Sequence, residues 1–284
     1  MTPPPTPSAS RSDNIPKGNN PGLENVIPLT ATVVSGAQPE GDEAFASLAR
    51  LGIKTVVSVD GSRPDIKTAN KYGLQYVHIP IGYDGIGEKA GLSLARLARQ
   101  GKRPLYIHCH HGQHRGPAAA AVICLVNGDV DRQGALQFLN RAGTSKSYRG
   151  LWRAVANYQP PPMNSRLPKL VSIAKLESLT SVMAKLDRIF DNLKQCQEAS
   201  WGTPEDHPDI DPKQEALLLR ETLHEANRNL LRKYDQEFKN LMNRSESLAR
   251  ELETALSKAE LKAASIHFLS LKRSCTQCHA KYRN

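Results

Sequence analysis

Aromatic side chains are scarce in this 284-residue chain: five Phe, eight Tyr and two Trp make up only 5% of it. Nor is there a Lys/Arg stripe interleaved with them. A base-stacking surface of the kind single-strand binders use is therefore excluded, and nucleic acid is not an expected partner. Long apolar runs are also missing. The longest, Ala118 to Val126, has nine residues, against the roughly 20 that a bilayer-spanning helix needs. Five cysteines are too few for a disulfide scaffold, so their positions matter more than their number. The opening MTPPPTPSASRSDNIPKGNN lacks the basic-then-apolar order of a secretory leader.

What the chain does have is positive charge, unevenly spread. Its net charge is +10. Residues 1–160 hold 18 basic and 11 acidic side chains, and residues 161–284 hold 20 and 17. The front half is the more basic one and could draw in an anionic substrate.

Composition divides the chain into four stretches. Residues 1–28, rich in Pro, Ser, Asn and Gly, read as a disordered arm. Residues 29–158 alternate short β-branched runs (31–35, 53–59, 74–79, 104–108) with helical stretches (41–51, 65–72, 89–100). That alternation predicts an α/β domain with a central, mainly parallel sheet flanked by helices. Residues 159–168 form a linker, because Gln159-Pro160-Pro161-Pro162 can continue neither a helix nor a central strand. Residues 169–284 predict an all-α antiparallel four-helix bundle. Its seams run at spacings of three and four through Leu176, Leu179, Met183, Leu186, Phe190 and Leu193, and through Phe238, Leu241, Ser245, Leu248, Leu252 and Ala255. Helices also fit 214–231 and 261–282.

Two constellations carry chemistry. In the first, RPLYIHCHHGQHRGPAAAAV, a strand ends at Cys109 and a helix starts near Arg115. A loop of this length at a helix N-terminus can turn its backbone N–H groups inward around a tetrahedral oxyanion, with Gly112 giving the backbone its freedom. The same dipoles favour a thiolate nucleophile at Cys109. Arg115 can close the ring with a bidentate fork. His110, His111, Gly112, Gln113, His114 and Arg115 are then the phosphate-binding residues. Two other readings remain: a buried strand cysteine, and a zinc site made by Cys109 with His108, His110, His111 and His114. Adjacent side chains mostly point apart, so the histidines are expected on the rim, adding positive character.

The His108-Cys109…Arg115 signature, with Gly112 between, resembles the cysteine-based protein tyrosine and dual-specificity phosphatases over about residues 31–145. SGAQPEGDEAFASLARLGIKTVVSVDG resembles the opening of small bacterial members. The resemblance implies a Cys-phosphate intermediate and an Asp that protonates the leaving oxygen. Asp84, 25 residues before Cys109, fits that role, ahead of Asp60 and Asp65. Family members usually carry Ser or Thr directly after the Arg, where its hydroxyl helps the thiolate leave. Here Gly116 stands instead, which implies a weak enzyme or an anion-binding pseudoenzyme. Gln113 stands where relatives acting on polyphosphorylated inositols often carry Lys.

The second constellation is Cys275-x-x-Cys278-His279. Two thiols and an imidazole at i, i+3 and i+4 project to one side of a helix, the arrangement that attaches c-type haem. Alternatives are a zinc half-site and a dithiol redox pair, but no second Cys/His cluster lies in this half. With the terminal Tyr282-Arg283 pair, the segment resembles cytochrome c-prime and its low-spin relatives. That resemblance implies covalent haem c held by Cys275 and Cys278, with iron bound by His279. It places a residue of the first bundle helix, Met183, on the opposite side. Cys124 and Cys196 read as structural, and His224 and His267 as surface or packing residues.

The combined expectation is a phosphomonoester phosphatase fused to a haem redox or sensor domain, with a phosphorylated protein or small molecule as substrate. A redox partner or a diatomic gas would serve the haem. The alternative is a haem electron-transfer or gas-sensing protein with an inactive phosphatase-like module. Haem attachment implies a periplasmic or exported protein with a leader upstream of Met1. A vestigial motif in a cytoplasmic protein is the other reading.

Overall fold

The computed structural model describes residues 20–283, so most of the expected N-terminal arm lies outside the described residues. These residues form two compact units, 20–146 with 150–174, and 147–149 with 175–283.

In the first unit, strands β1 (Ile27–Thr30), β2 (Val33–Gly36), β3 (Thr55–Ser58), β4 (Gln75–His78) and β5 (Leu105–His108) form one sheet in the order β1-β2-β5-β3-β4. β2, β5, β3 and β4 are parallel, and β1 pairs antiparallel with β2. The sheet is thus mixed. β1 escapes a sequence reading because it is short and sits beside a Pro-rich arm. The strand carrying the cysteine loop is central, and β2, β3, β4 and β5 all end at one edge, where ligands bind in open parallel sheets.

Crossover helices cover both faces. Phe45 and Leu48 of α1 (Gly41–Arg50) and Ala69 of α2 (Ile66–Lys71) pack with Val34, Val56, Tyr76 and Tyr106. Leu23 and Val26 join them, so packing begins ahead of residue 29. α3 (Glu88–Gln100) lies against α4 (Arg115–Asn127), which covers β2 and β5 on the other face. α4 is apolar on every side and buried from Arg115 to Cys124, as a central helix should be. α5 (Arg132–Arg141) packs on α4, and α6 (Arg149–Asn157) follows.

The Pro-rich stretch stays with this unit. Arg99 donates to the carbonyls of Pro161 and Pro162. Further on, Val171 accepts from the amide of His78 at 2.9 Å.

The second unit holds α7 (Leu179–Glu198), α8 (Pro212–Leu230), α9 (Gln236–Ser257) and α10 (Leu261–Tyr282), within a few residues of the predicted seams. α7, α8 and α9 start where Ser178, Asp211 and Asp235 offer a capping acceptor, with Pro212 presetting the first turn of α8. Their apolar stripes meet in one core that includes Leu186, Leu193, Leu219, Met242, Leu252, Phe268 and Leu271. Cross-links show that successive helices run in opposite directions. Asn192 reaches Glu215, His224 reaches Glu246, Ser245 meets Ser274, and Trp201 Nε1 donates to Ser265. Cys196 is buried in this core. His224 and His267 pair with Glu246 and Glu251 at 2.9 Å. Among the described residues no helix is long and apolar enough to cross a membrane.

Candidate active site

The cysteine loop is built from the outside in. The carbonyls of His110, His111 and Gln113 accept from the amide of Gln38 at 3.0 Å, Asn25 Nδ2 at 2.9 Å and Thr144 Oγ1 at 2.7 Å. A trans peptide points its C=O and N–H opposite ways. The amides of His111, Gly112 and His114 therefore turn toward the loop interior. Gly112 has φ +71°, and a Cβ there would come within 2.2 Å of Gly36 C. Only glycine lets the loop pass so close to the end of β2. The next helix starts without a side-chain cap or an acidic first turn, leaving its positive end toward the loop.

Arg115 sits fully buried at this helix start. Its Nη2 pairs with Asp60 Oδ2 at 2.8 Å, Nη1 reaches the Ile81 carbonyl at 3.4 Å, and the Tyr83 ring lies 4.2 Å from the guanidinium. Asp60 is fully buried too, and its Oδ1 accepts from the Ser62 amide at 2.8 Å. A guanidinium with no water around it must be neutralised. Asp60 is thus the residue that holds Arg115 in place, a role the sequence reading missed while weighing it as an acid. Cys109, 4% exposed, lies six positions before Arg115 at the end of β5.

Asp84 is exposed on the loop that Tyr83 anchors to Arg115. That loop is seated closely on α6: a Cβ on Gly150 would fall 2.0 Å from the Asp84 carbonyl. A groove of about 570 Å³ opens beside Asp84, lined by Ile86, Leu92, Arg153 and Tyr158 among others. Asp65 instead caps α2 by accepting from the Thr68 amide at 3.1 Å.

The expectation that all four histidines line the rim fails for His108. It is buried on the face opposite Cys109, with Nε2 2.6 Å from the Tyr76 hydroxyl and its ring stacked on Tyr106. Strand alternation explains this, since neighbours along β5 point to opposite faces. Burial pulls its pKa down to about 4, so it is neutral and adds no positive field. His111 is exposed and the His110 ring lies beside it at a tilt, the ring centres 4.2 Å apart. Among the described residues no three His, Cys, Asp or Glu side chains converge to hold a metal ion. Cys124 lies buried in α4, where desolvation pushes its thiol up to about 12.

No family model matches the chain. A dual specificity protein phosphatase of Pseudomonas aeruginosa strain UCBPP-PA14, TpbA, is 30% identical over 140 residues, 48% of this chain and 62% of its own. The N-terminal half resembles the TpbA-type cysteine-based protein tyrosine phosphatases. The chain spans less than two thirds of the length of the curated relatives it matches. A crystal structure of P. aeruginosa TpbA is 25% identical, covering 53% of this chain and 94% of that one, with a TM-score of 0.44. The core catalytic domain of the PP-IP phosphatase SIW14 of S. cerevisiae, solved with citrate, is 17% identical. It covers 48% of this chain and 86% of that one, with a TM-score of 0.41. The cytochrome c-prime resemblance of the C-terminal half gains no support from these relatives.

In that half, α10 carries Cys275, Cys278 and His279. Cys278 is buried, and Cys275 is partly buried against the same core. Desolvation pushes the Cys275 thiol up to about 11 and raises that of Cys278. Phe190 of α7 stacks on Phe268 of α10 at 4.6 Å. The two helices run oppositely, so two turns from that pair Met183 stands level with Cys275. Met183 packs partly buried on the shared core, as does Leu179 one turn earlier.

Proposed function

We propose that the first unit is a phosphomonoester phosphatase acting through a Cys-phosphate intermediate. The observation that carries this reading is the Arg115 guanidinium, locked by buried Asp60 over a loop whose amides turn inward, six residues beyond Cys109. Such a loop offers nothing to an apolar ligand. Its inward dipoles and fork suit three equatorial phosphate oxygens in the transition state. The Cys109 sulfur attacks phosphorus, an S–P bond forms, and the P–O bond to the leaving group breaks. Asp84 delivers its proton to the departing oxygen. A water oxygen then attacks phosphorus, its proton passes to Asp84, and the S–P electron pair returns to sulfur. The groove beside Asp84 would receive the rest of the substrate, a phosphorylated protein or small molecule.

We further propose that the second unit is a four-helix bundle carrying covalent haem c on Cys275 and Cys278, with His279 as iron ligand and Met183 on the other side. The donor set supports this. Haem asks for two thiols and one imidazole on a helix face, not a preassembled cluster of ligands. When bound it would supply redox or gas-binding chemistry and imply an exported protein. The residues themselves would only hold and orient it.

The test of the first proposal is turnover of p-nitrophenyl phosphate. Cys109→Ser is expected to abolish it while orthovanadate still binds, and Arg115→Ala to weaken both. Asp84→Asn is expected to slow alkyl phosphates about 10²- to 10⁴-fold and aryl phosphates far less, since their leaving groups need little protonation. Undiminished turnover in Cys109→Ser would leave the alternative, a haem protein with an anion-binding module.

A further inference from the structure

Ser35 is the third residue of β2 and lies opposite Ile107 in the parallel pairing with β5. Its side chain is on the α4 face of the sheet, fully buried, and its hydroxyl has no hydrogen-bond partner among the described residues. An orphaned buried hydroxyl is costly, and this one sits beneath the cysteine loop. A Cβ on Gly116 would lie 3.0 Å from Ser35 Oγ and 3.3 Å from the Cys109 amide nitrogen. A hydroxyl on residue 116 would therefore occupy the same small space that Ser35 Oγ borders. The strand places a donor where the helix has none.

We infer that Ser35, reaching across from β2, donates its hydroxyl hydrogen to the Cys109 sulfur as negative charge returns to it. The inference rests on the Cys109 reading and deepens it. In the first step sulfur loses charge to the new S–P bond, so a donor to sulfur gives no help. During hydrolysis a water oxygen attacks phosphorus, the S–P bond breaks, and its electron pair ends on sulfur as a thiolate. That thiolate sits in a site closed to bulk water, with Cys109 only 4% exposed. A hydrogen bond to a charged group in such a place is stronger than one between neutral groups. Ser35 thus selectively assists the second step, with the hydroxyl coming from a strand and not from the residue after Arg115. No partner among the described residues holds the Ser35 hydroxyl, which leaves its hydrogen free for the sulfur.

The experiment uses the full chain, p-nitrophenyl phosphate and rapid mixing. Ser35→Ala is expected to keep the burst of p-nitrophenol and to slow the steady phase about tenfold to a hundredfold, the value of one charge-assisted hydrogen bond. The phosphoenzyme should then accumulate and be trapped by acid quenching. Alkylation of Cys109 by iodoacetamide should shift to higher pH. Moving the hydroxyl, in Ser35→Ala/Gly116→Ser, should restore the steady phase, since removing Oγ makes room for the new Cβ. Melting should not fall in Ser35→Ala, as no partner is lost.

A Ser35→Ala enzyme with an unchanged steady phase and alkylation profile would overturn the inference alone, provided Cys109→Ser is inactive. If Ser35→Ala instead melts lower, the double variant decides: no faster dephosphorylation than in Ser35→Ala also overturns it. Turnover in Cys109→Ser would overturn the phosphatase reading itself.

Discussion

Two buried side chains at the strand edge set what the site tolerates. Asp60 and Arg115 neutralise each other where neither meets water, so removing one leaves the other as an uncompensated buried charge. Asp60→Ala is expected to cost about 3–5 kcal/mol of stability and to raise KM for p-nitrophenyl phosphate as Arg115 loses its orientation. Asp60→Asn keeps one acceptor and should recover much of the KM defect. Urea unfolding and initial rates on both variants check this. A KM unchanged in Asp60→Ala would mean that Tyr83 and the Ile81 carbonyl alone orient the guanidinium. His108 adds a pH dependence. Unfolded, an imidazole takes up its proton near pH 6.5, whereas folded His108 stays neutral down to about 4. Between those values the unfolded chain binds the extra proton. Stability is therefore full above 6.5 and drains as pH falls toward 4, by about 3 kcal/mol from this group. Buried His78, also lowered by desolvation, acts with the same sign. Hydrogen exchange read by mass spectrometry across that range should show β3, β4 and β5 losing protection.

At the scale of elements, the four parallel strands, the crossover helices, the helices of the second unit and the cysteine loop were legible because their signals are local, whereas β1, α5 and α6 were not. Period-2 runs, period-3.6 stripes and the Cys109-to-Arg115 spacing all lie within twenty residues. What was not legible depends on strand order. Gly36 and Gly112, Ser35 and Gly116, Asp60 and Arg115 are 76, 81 and 55 residues apart, and meet because β5 inserts between β2 and β3. No periodicity encodes that insertion. The glycines make the contrast measurable. Gly112 and Gly128 both have φ +71°, but a Cβ on Gly112 would strike the end of β2, whereas one on Gly128 meets nothing within 4 Å among the described residues. Gly128→Ala should cost about 1–2 kcal/mol of backbone strain and leave kcat/KM intact. Gly112→Ala should abolish vanadate binding, because the loop must move off β2 and its amides with it. Isothermal titration with vanadate separates the two; equal affinity in both variants would show that the loop amides do not form the oxyanion site.

For the whole molecule the question is what the second unit adds, and its helix ends carry the argument. At one end Phe190, Trp201 and Phe268 fill the space between α7 and α10, with Trp201 and Phe268 meeting edge to face at 5.5 Å. Toward the other end Met183 and Leu179 of α7 and Cys275 and Cys278 of α10 join the same core, and His279 follows on α10. An apolar core needs such residues in any case, so Met183 is either packing or a ligand. A zinc reading asks more of this end than it offers: both thiols are shifted toward the protonated form by burial, and a structural zinc site wants a fourth ligand beyond Cys275, Cys278 and His279. Thioether attachment asks only for the two sulfurs and the imidazole. Expressed with a periplasmic leader and haem-attachment machinery, the full chain is expected to be red, with colour that survives acid-acetone extraction. If Met183 is a ligand, the iron is six-coordinate and low-spin, and Met183→Leu should turn the spectrum high-spin and open the iron to carbon monoxide. A wild-type spectrum already high-spin and gas-binding would make Met183 packing and the unit a sensor. A colourless, folded chain under those conditions would remove haem, leaving Cys275 and Cys278 as protonated core thiols.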